Sequence, residues 1–471
     1  MIELNIEKGG ANMGEFAAVV LAAGLGTRMK SKLPKAMHQV CGKPMVGHVV
    51  SALESAGCSR VVVVVGQEAD ETRNYLGDRV RYAVQVERLG TGHAVLAARD
   101  QLTGFEGVTV VCYGDNPALT ADTIRDLVSY HESSKCVATA AVGKLQDPSG
   151  FGRVIRTESG EFDRVVEEKD ATPEQRQIAE VNAGLYAFDN AKLFRALERL
   201  DRSNAQGEYL LPDVLLILKS EGHSVRCFEL DDPTDMAAVN TRKQLAEVDR
   251  VLRDRVRERL MASGVTLVDP DKTYIDSDVE IGPDTIVYPF VFLEGSTRIG
   301  EGCVIGMGCR IVDTTIGDRT SIDQSTIVSS VIGSDVTVGP FAYIRPESRI
   351  EDGVKIGDFT EIKKSRIGKL SKVPHLSYVG DADIGEGVNI GAGTITCNYD
   401  GKVKHKTTVL DGAFVGSNSN LVAPVTVGER AYVAAGSTIT DDVPGEALAI
   451  GRARQVVKEG WVKKRAEQQQ S

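Results

Sequence analysis

At 471 residues the chain is longer than one hydrophobic core normally serves, so two domains are expected. A hydrophobic content of 42% with mixed charge is that of a globular protein, and a formal net charge of −11 argues against non-specific nucleic-acid binding. No apolar run approaches the ~20 residues a membrane-spanning helix needs, and MIELNIEKGGANMGEF has no basic start leading into an apolar stretch, so neither a membrane span nor a secretory signal is read.

Residues 1–14 are polar and glycine-rich and read as a flexible leader, with folded structure expected from Glu15. Phe16–Ala23, Arg60–Val65 and Val108–Tyr113 read as buried strands, each followed by a loop and a helix-like stretch, a rhythm that predicts a parallel sheet with helices on both faces over 15–239. The first strand runs into Gly24-Leu25-Gly26-Thr27-Arg28-Met29, with Pro34-Lys35 after it. A glycine-rich turn at the carboxyl end of a first strand brings backbone N–H groups to phosphates, with cations nearby. It is not a Walker loop, because no Gly-Lys-Ser/Thr follows, and Met29 stands where a dinucleotide fingerprint would have its third glycine. Asp115, two residues beyond the strand ending at Tyr113, is placed to hold a hard cation that prefers oxygen ligands.

Residues 240–263 turn helical and charged, with Leu245, Val248, Leu252, Val256 and Leu260 at helical spacing and Asp249 paired with Arg253 at i,i+4, the pattern of a solvated connecting helix. From 264 to 452 the chain repeats with a period of six: aliphatics fall at Ile281, Val287, Leu293, Ile299, Ile305 and Ile311, slip, resume at Ile332, Val338, Ile344, Ile350, Ile356 and Ile362, and return from Val409 through Ile439. Small residues such as Thr285, Cys303, Cys309, Ala342 and Ser437 follow four later. Neither a helix nor an alternating strand has that period, whereas a solenoid with one inward aliphatic per short flat side does. Glycines after the aliphatics (Gly282, Gly300, Gly333, Gly357, Gly385, Gly428) are expected to serve tight corners. Cys303 and Cys309 read as packing residues, and the scattered cysteines, with no C-x-x-C pair, suit a reducing cytoplasm. Cys397–Lys406 cannot continue the repeat and is expected as an external loop, and 453–471 as a frayed tail.

LAAGLGTRM followed by PK resembles the signature of sugar-phosphate nucleotidyltransferases, and further matches follow in order: Gln85 with Gly90-Thr91, Tyr113-Gly114-Asp115, Gly152, Glu167, Asn182 and Asn240. The resemblance implies that Leu21, Ala22, Ala23, Gly24, Arg28 and Lys35 hold the triphosphate, that Gln85, Gly90 and Thr91 read uracil, that Tyr113, Gly152, Glu167 and Asn182 hold the sugar, and that Asp115 and Asn240 carry Mg²⁺. Asn116-Pro117-Ala118 and Ala183 depart from the family's usual residues near the sugar. The chemistry suits these residue types: a sugar phosphate is already an oxyanion, so the reaction needs alignment and charge neutralisation rather than a general base.

In the second half KVPHLSYVGDADIG and NIGAGTITCNYDG closely resemble the acetyltransferase part of the bifunctional N-acetylglucosamine-1-phosphate uridylyltransferase/glucosamine-1-phosphate N-acetyltransferase family, a likeness running from about Phe16 to Trp461. It implies an α/β, Rossmann-like nucleotidyltransferase domain followed by a left-handed parallel β-helix of hexapeptide repeats, assembled as a homotrimer in the cytoplasm. His375 is then the general base, oriented by Glu361; Arg345, Lys363, Tyr378, Asn389 and Lys404 surround glucosamine 1-phosphate; and Ala392, Asn398, Tyr399, Ser417, Ala435 and Arg452 contact acetyl-coenzyme A. An attacking amine must be deprotonated, and histidine titrates near neutral pH. The implied activity makes UDP-N-acetylglucosamine from glucosamine 1-phosphate, acetyl-coenzyme A and UTP, for peptidoglycan and lipopolysaccharide synthesis. The rival is a single-activity nucleotidyltransferase with a regulatory or oligomerising solenoid; His375 and the CNYDG loop argue against it.

Overall fold

The computed structural model describes residues 14–24 and 26–469. Of the leader only Gly14 is among them, so the expectation for residues 1–13 lies outside the described residues, as does Leu25 of the glycine turn. The chain divides into two compact units, Met1–Asp254 and Arg255–Ser471.

The first unit is built on a nine-stranded sheet. Along its main path the strands run Val225–Glu229, Ala138–Lys144, Glu180–Asp189, Val108–Tyr113, Phe16–Leu21, Arg60–Val65, Arg81–Val84. Phe16–Leu21 pairs in parallel with both Arg60–Val65 and Val108–Tyr113. The sheet is not wholly parallel as expected: Glu180–Asp189 runs antiparallel between its neighbours. Alternate residues of the first strand feed two cores. Phe16, Ala18 and Val20 pack with Val46, Val49 and Leu53 of helix Met45–Ser55 and Ile124, Leu127 and Val128 of helix Ala121–Ser133. Ala17, Val19 and Leu21 pack on the other face with Val95, Leu193 and Leu215, from three further helices. Burial on both faces is why these strands read as unbroken apolar runs.

The helix expected over 240–263 forms as Arg242–Ala262, with the Asp249–Arg253 pair at 2.8 Å. It is not a freely solvated connector. Val248 is buried among Met29, Val40, Met45 and Val239, and the Asp249 carboxylate accepts a 2.7 Å bond from the Cys41 N–H. Helical spacing shows which residues share a face, but not that the face is covered.

The second unit is a three-sided parallel β-helix, left-handed and built from hexapeptide repeats. Two- to four-residue strands stack into three parallel sheets of 11, 10 and 9 strands, each strand pairing with the third one after it until the last rung, where Tyr432–Val433 pairs with Leu448–Ala449, the second after it. Every aliphatic of the period-six series is buried, from Ile281 at 8% exposure to Val287, Ile344, Val433 and others at 0%. The slips are sides shortened by one residue, where Ile316, Ile327 and Ile332 take the inward positions. Cys303 and Cys309 lie in the core, and burial pushes the Cys309 thiol up to about 11, the behaviour of a packing residue.

The repeat glycines serve a different purpose from the one expected. Gly282, Gly300, Gly333, Gly357, Gly385 and Gly428 do not take positive φ; the left-handed corners are held by residues such as Phe341, Phe359 and Leu376, at φ 60°, 53° and 48°. At the repeat glycines a Cβ would strike the backbone of the next coil, 2.7 Å from the Glu301 nitrogen at Gly282. Coil-to-coil approach fixes them. Residues 398–406 leave the coil between strands Ile395–Cys397 and Thr407–Val409, one residue later than expected, since Cys397 still pairs with Val422 in the stack. Within the C-terminal stretch expected to fray, Trp461–Gln468 forms an exposed helix.

Candidate active sites

In the first unit the chain leaves Phe16–Leu21 for one side of the sheet and returns to the other side at Val108–Tyr113. The carboxyl ends of those two neighbouring strands therefore flank a topological switch point, where open α/β sheets bind ligands. A cavity of about 280 Å³ lies there, lined by Leu21, Ala22, Ala23, Gly24, Lys35, Gln85, Gly90, Thr91, Tyr113 and Asp115 among others. Gly26 sits at φ 60°, where a Cβ would come within 2.7 Å of Lys35 Cβ, so the turn closes onto the lysine. Lys35 Nζ donates to Asn240 Oδ1 at 2.7 Å and pairs with Asp115 Oδ2, and Arg28 Nη2 donates to the same Asn240 oxygen at 2.8 Å. Two cations thus gather on the two oxygen-bearing side chains assigned to the metal. Among the described residues no cluster of three or more His, Cys, Asp or Glu could hold a metal ion by itself.

The side assigned to the sugar is linked to this cavity through Tyr113. Its hydroxyl bonds Thr91, and Glu167 acts on it electrostatically. Asn182 accepts the Gly184 N–H and donates from its amide to the Tyr186 hydroxyl at 2.6 Å, while its own N–H bonds the Gly152 carbonyl at 2.9 Å. A Cβ on Gly152 would approach Glu167 Oε1 to 3.2 Å. Burial, and then the charges of Asp213, Asp170 and Glu208, raise the Glu167 carboxyl above the usual range. Of the departures, Ala118 and Ala183 are packed in the cores, and buried Asn116 donates to the Asp235 carbonyl at 2.8 Å. All three are engaged in packing or internal bonding.

In the β-helix most of the residues assigned to the acetyl site fall into two groups. Lys363 and Asn398 both bond Asp381, Lys363 at 3.0 Å, and Asn398 also reaches the Tyr378 hydroxyl at 3.4 Å. Lys404 adjoins Lys363, whose hydrogen bond and charge hold it below the ordinary lysine range. Arg345 donates to Glu361 at 2.8 Å, and Glu361 pairs in register with Tyr378. Two ammonium groups and a guanidinium against two carboxylates, Asp381 and Glu361, leave a net positive patch suited to an anion.

The second group follows one corner of successive coils. The residue after each of Asp358, His375, Ala392, Ser417 and Ala435 takes positive φ, and the coils are tied there by Leu376 N–H to Asp358 O, Gly393 N–H to His375 O, Asn418 N–H to Ala392 O and Gly436 N–H to Ser417 O. Arg452 Cδ would lie 4.0 Å from a Cβ on Gly436. Asn389 lies on another side, in register with Lys372 and Phe414. Tyr399 bonds within the external loop, to the Gly401 carbonyl at 2.7 Å. One assignment needs correction: the His375 ring meets Asp358, Nδ1 to Oδ1 at 2.5 Å, whereas Glu361 is held by Arg345.

Comparison with known proteins fits both halves. The MobA-like NTP transferase domain matches residues 18–211, and the bacterial transferase hexapeptide repeat matches 278–313 and 329–364, either side of shortened coil sides. The bifunctional protein GlmU of Halalkalibacterium halodurans is 52% identical over 96% of this chain and 100% of its own length. That of Brevibacillus brevis is 52% identical over 96% of this chain and 98% of its own. The chain belongs to the GlmU family. It is a bifunctional transferase of UDP-N-acetylglucosamine synthesis, with a nucleotidyltransferase half and an acyltransferase half.

Two charged residues of the nucleotide cavity escape the sequence motifs. Arg88 donates from Nε to the Ala23 carbonyl at 2.9 Å, bracing the glycine turn, and Glu208 lines the same wall. Arg88 lies between Gln85 and Gly90, close enough to have been included with them. Glu208 arrives from a distant loop and has no local signal.

Proposed function

We propose that the cavity of the first unit is the uridylyl site and that the lysine group and corner ladder of the second are parts of the acetyl site. In the first, the Leu21–Gly24 backbone, Arg28 and Lys35 hold the triphosphate of UTP, Gln85, Gly90 and Thr91 hold uracil, and Tyr113, Gly152, Glu167 and Asn182 hold the sugar. The phosphate oxygen of N-acetylglucosamine 1-phosphate attacks the α-phosphorus and pyrophosphate leaves, with alignment and charge neutralisation supplying the rate. Asp115 and Asn240 are hard oxygen donors that already share one cation, the Lys35 ammonium, so they fit Mg²⁺ and would hold it. When bound, the ion would offset repulsion between the two phosphates.

In the second unit His375 takes the proton of the glucosamine 1-phosphate amine as that nitrogen bonds the acetyl carbon. The carbon–sulfur bond breaks and the proton passes to the departing coenzyme A thiolate. Arg345, Lys363, Tyr378, Asn389 and Lys404 bind the sugar phosphate, and Ala392, Asn398, Tyr399, Ser417, Ala435 and Arg452 the acetyl-coenzyme A. The observation that carries this reading is a histidine hydrogen-bonded to a carboxylate at a corner, where the inward packing of the repeat requires neither. A purely regulatory solenoid has no use for it. The chain works as a homotrimer of the β-helix, in the cytoplasm where UTP and acetyl-coenzyme A are supplied, and its product feeds the bacterial cell envelope; among the described residues no helix is long and apolar enough to cross a membrane.

The test incubates purified protein with acetyl-coenzyme A, glucosamine 1-phosphate, UTP and Mg²⁺, following the acetylated intermediate and the UDP-sugar by mass spectrometry. His375→Ala should lower acetylation by ~10²–10⁴-fold and leave uridylyl transfer intact. Acetylation at the unmutated rate by folded His375→Ala would remove His375 from the base role.

A further inference from the structure

We propose that Asp358 is the positioning residue for the acetyl-transfer base: its carboxylate accepts the Nδ1 proton of His375 and leaves Nε2 as the nitrogen that takes the amine proton. The inference rests on the reading of His375 as the base and adds the group that makes an imidazole on an open corner act as one.

The fold itself sets the pair. Asp358 and His375 are register partners on neighbouring coils, in strands Lys355–Asp358 and Lys372–His375. They lie 17 residues apart, with Nδ1 and Oδ1 at 2.5 Å. The backbone fastens the same rung, since the Leu376 N–H donates to the Asp358 carbonyl at 3.0 Å. Hydrogen bonding to His375 is the first cause holding the Asp358 carboxyl below the usual range, so the carboxylate is ionised and an acceptor only.

The other charged groups of these coils stand at other register positions or are paired elsewhere. Lys372, on the same strand as His375, pairs in register with Lys355 on the strand of Asp358. Glu361, on the adjoining side of the coil, accepts from Arg345. Among the described residues Asp358 is the one side chain hydrogen-bonded to the His375 ring. The His375 side chain is 56% exposed. Without a partner such a ring would turn about its bonds and exchange tautomers freely; an acceptor on Nδ1 fixes both and favours the protonated ring that forms as the amine attacks. The proton gained at Nε2 later leaves with the coenzyme A thiolate, so Asp358 itself is never protonated in the cycle.

The experiment compares full-length Asp358→Asn and Asp358→Ala, each alone and combined with His375→Ala, in acetyl transfer from acetyl-coenzyme A to glucosamine 1-phosphate. Uridylyl transfer and thermal unfolding report folding in each variant. Asp358→Asn should lower kcat by about 10- to 100-fold with KM for both substrates little changed. In the His375→Ala background the same substitution should cost less than about twofold, since the two residues act as a unit. Unchanged kcat, a loss confined to KM, or an equal loss in the His375→Ala background would each overturn the positioning role while leaving His375 as the base. Full acetylation by His375→Ala would instead overturn the base reading, and this inference with it.

Discussion

Substituting two glycines of the β-helix separates coil approach from backbone conformation. Gly357 lacks positive φ, but a Cβ there would come within 2.6 Å of the Pro374 carbonyl carbon and closer still to its oxygen. Gly387 is the converse: φ is +62° and nothing lies within 4 Å. If conformation alone mattered, Gly357→Ala would be neutral or gain about 0.4–1 kcal/mol from the restricted unfolded chain. The clash instead forces the next coil outward, and overpacking against backbone rather than a yielding side chain belongs at the upper end of the usual range, ~3 kcal/mol. Gly387→Ala meets only the left-handed penalty, ~1 kcal/mol. For a unit of this size each kcal/mol lowers Tm by about 2–4 °C. The expected drops in the β-helix transition are therefore ~6–12 °C for Gly357→Ala and ~2–4 °C for Gly387→Ala, read by calorimetry. Because Pro374 precedes His375, the first variant should also lose acetyl transfer while keeping uridylyl transfer. A larger Tm loss at Gly387 than at Gly357 would refute the account of the repeat glycines.

Chelation by EDTA should abolish uridylyl transfer and spare acetyl transfer, and Asp115→Ala should reproduce that split; equal loss of both activities on chelation would contradict the metal assignment. Lys35→Ala should slow uridylyl transfer yet tighten Mn²⁺ binding measured by electron paramagnetic resonance without nucleotide, since two cations on the Asp115 and Asn240 oxygens repel; weaker Mn²⁺ binding would show that the lysine does not compete there. His131 is buried and its pKa is lowered to about 4 by desolvation, so the unfolded chain binds the proton more readily. Stability of the first unit should be full above pH ~6.5 and fall by up to about 3 kcal/mol as pH drops towards 4, a slope that His131→Asn should flatten in thermal scans across that range.

The period-six series was legible because one buried aliphatic per side is a packing requirement that tolerates few exceptions. It lapsed where sides lose a residue, at Ile316, Ile327 and Ile332, because a phase shift of one hides a spacing pattern without disturbing the stack. The glycine turn and Asp115 were readable because each adjoins a strand end that the apolar runs reveal, and Lys35 because it follows Pro34 in the signature after that turn. The antiparallel course of Glu180–Asp189 was not, since an interior strand buried on both faces looks alike in either direction. Asp358 was missed for a countable reason. One coil here takes 17 residues, so the rung below His375 is Asp358, whereas Glu361 falls on the next side. Subtracting the coil length, rather than choosing the nearest acidic residue of the motif, would have found it.

The two halves solve different chemical problems with the parts their folds offer. A sheet with a switch point ends in a crevice, and the first unit fills it with backbone N–H groups, Arg28, Lys35 and Asp115, none of which must change protonation for phosphate to attack phosphate. A β-helix offers sides and corners that repeat, and its chemistry is written there. There the attacking amine does need a base, and burial cannot tune one at a corner where the side chain is 56% exposed. What the repeat offers instead is alignment between coils. A residue one coil away stands on the same rung at hydrogen-bonding distance whatever its identity, so placing aspartate at 358 beneath histidine at 375 yields an oriented pair without a special loop. Small residues on the later rungs, Ala392 and Ala435, keep side-chain bulk off the corner, and Ser417 between them adds a hydroxyl. The regularity that first reads as mere scaffolding is thus the device that sets the geometry of the acetyl site.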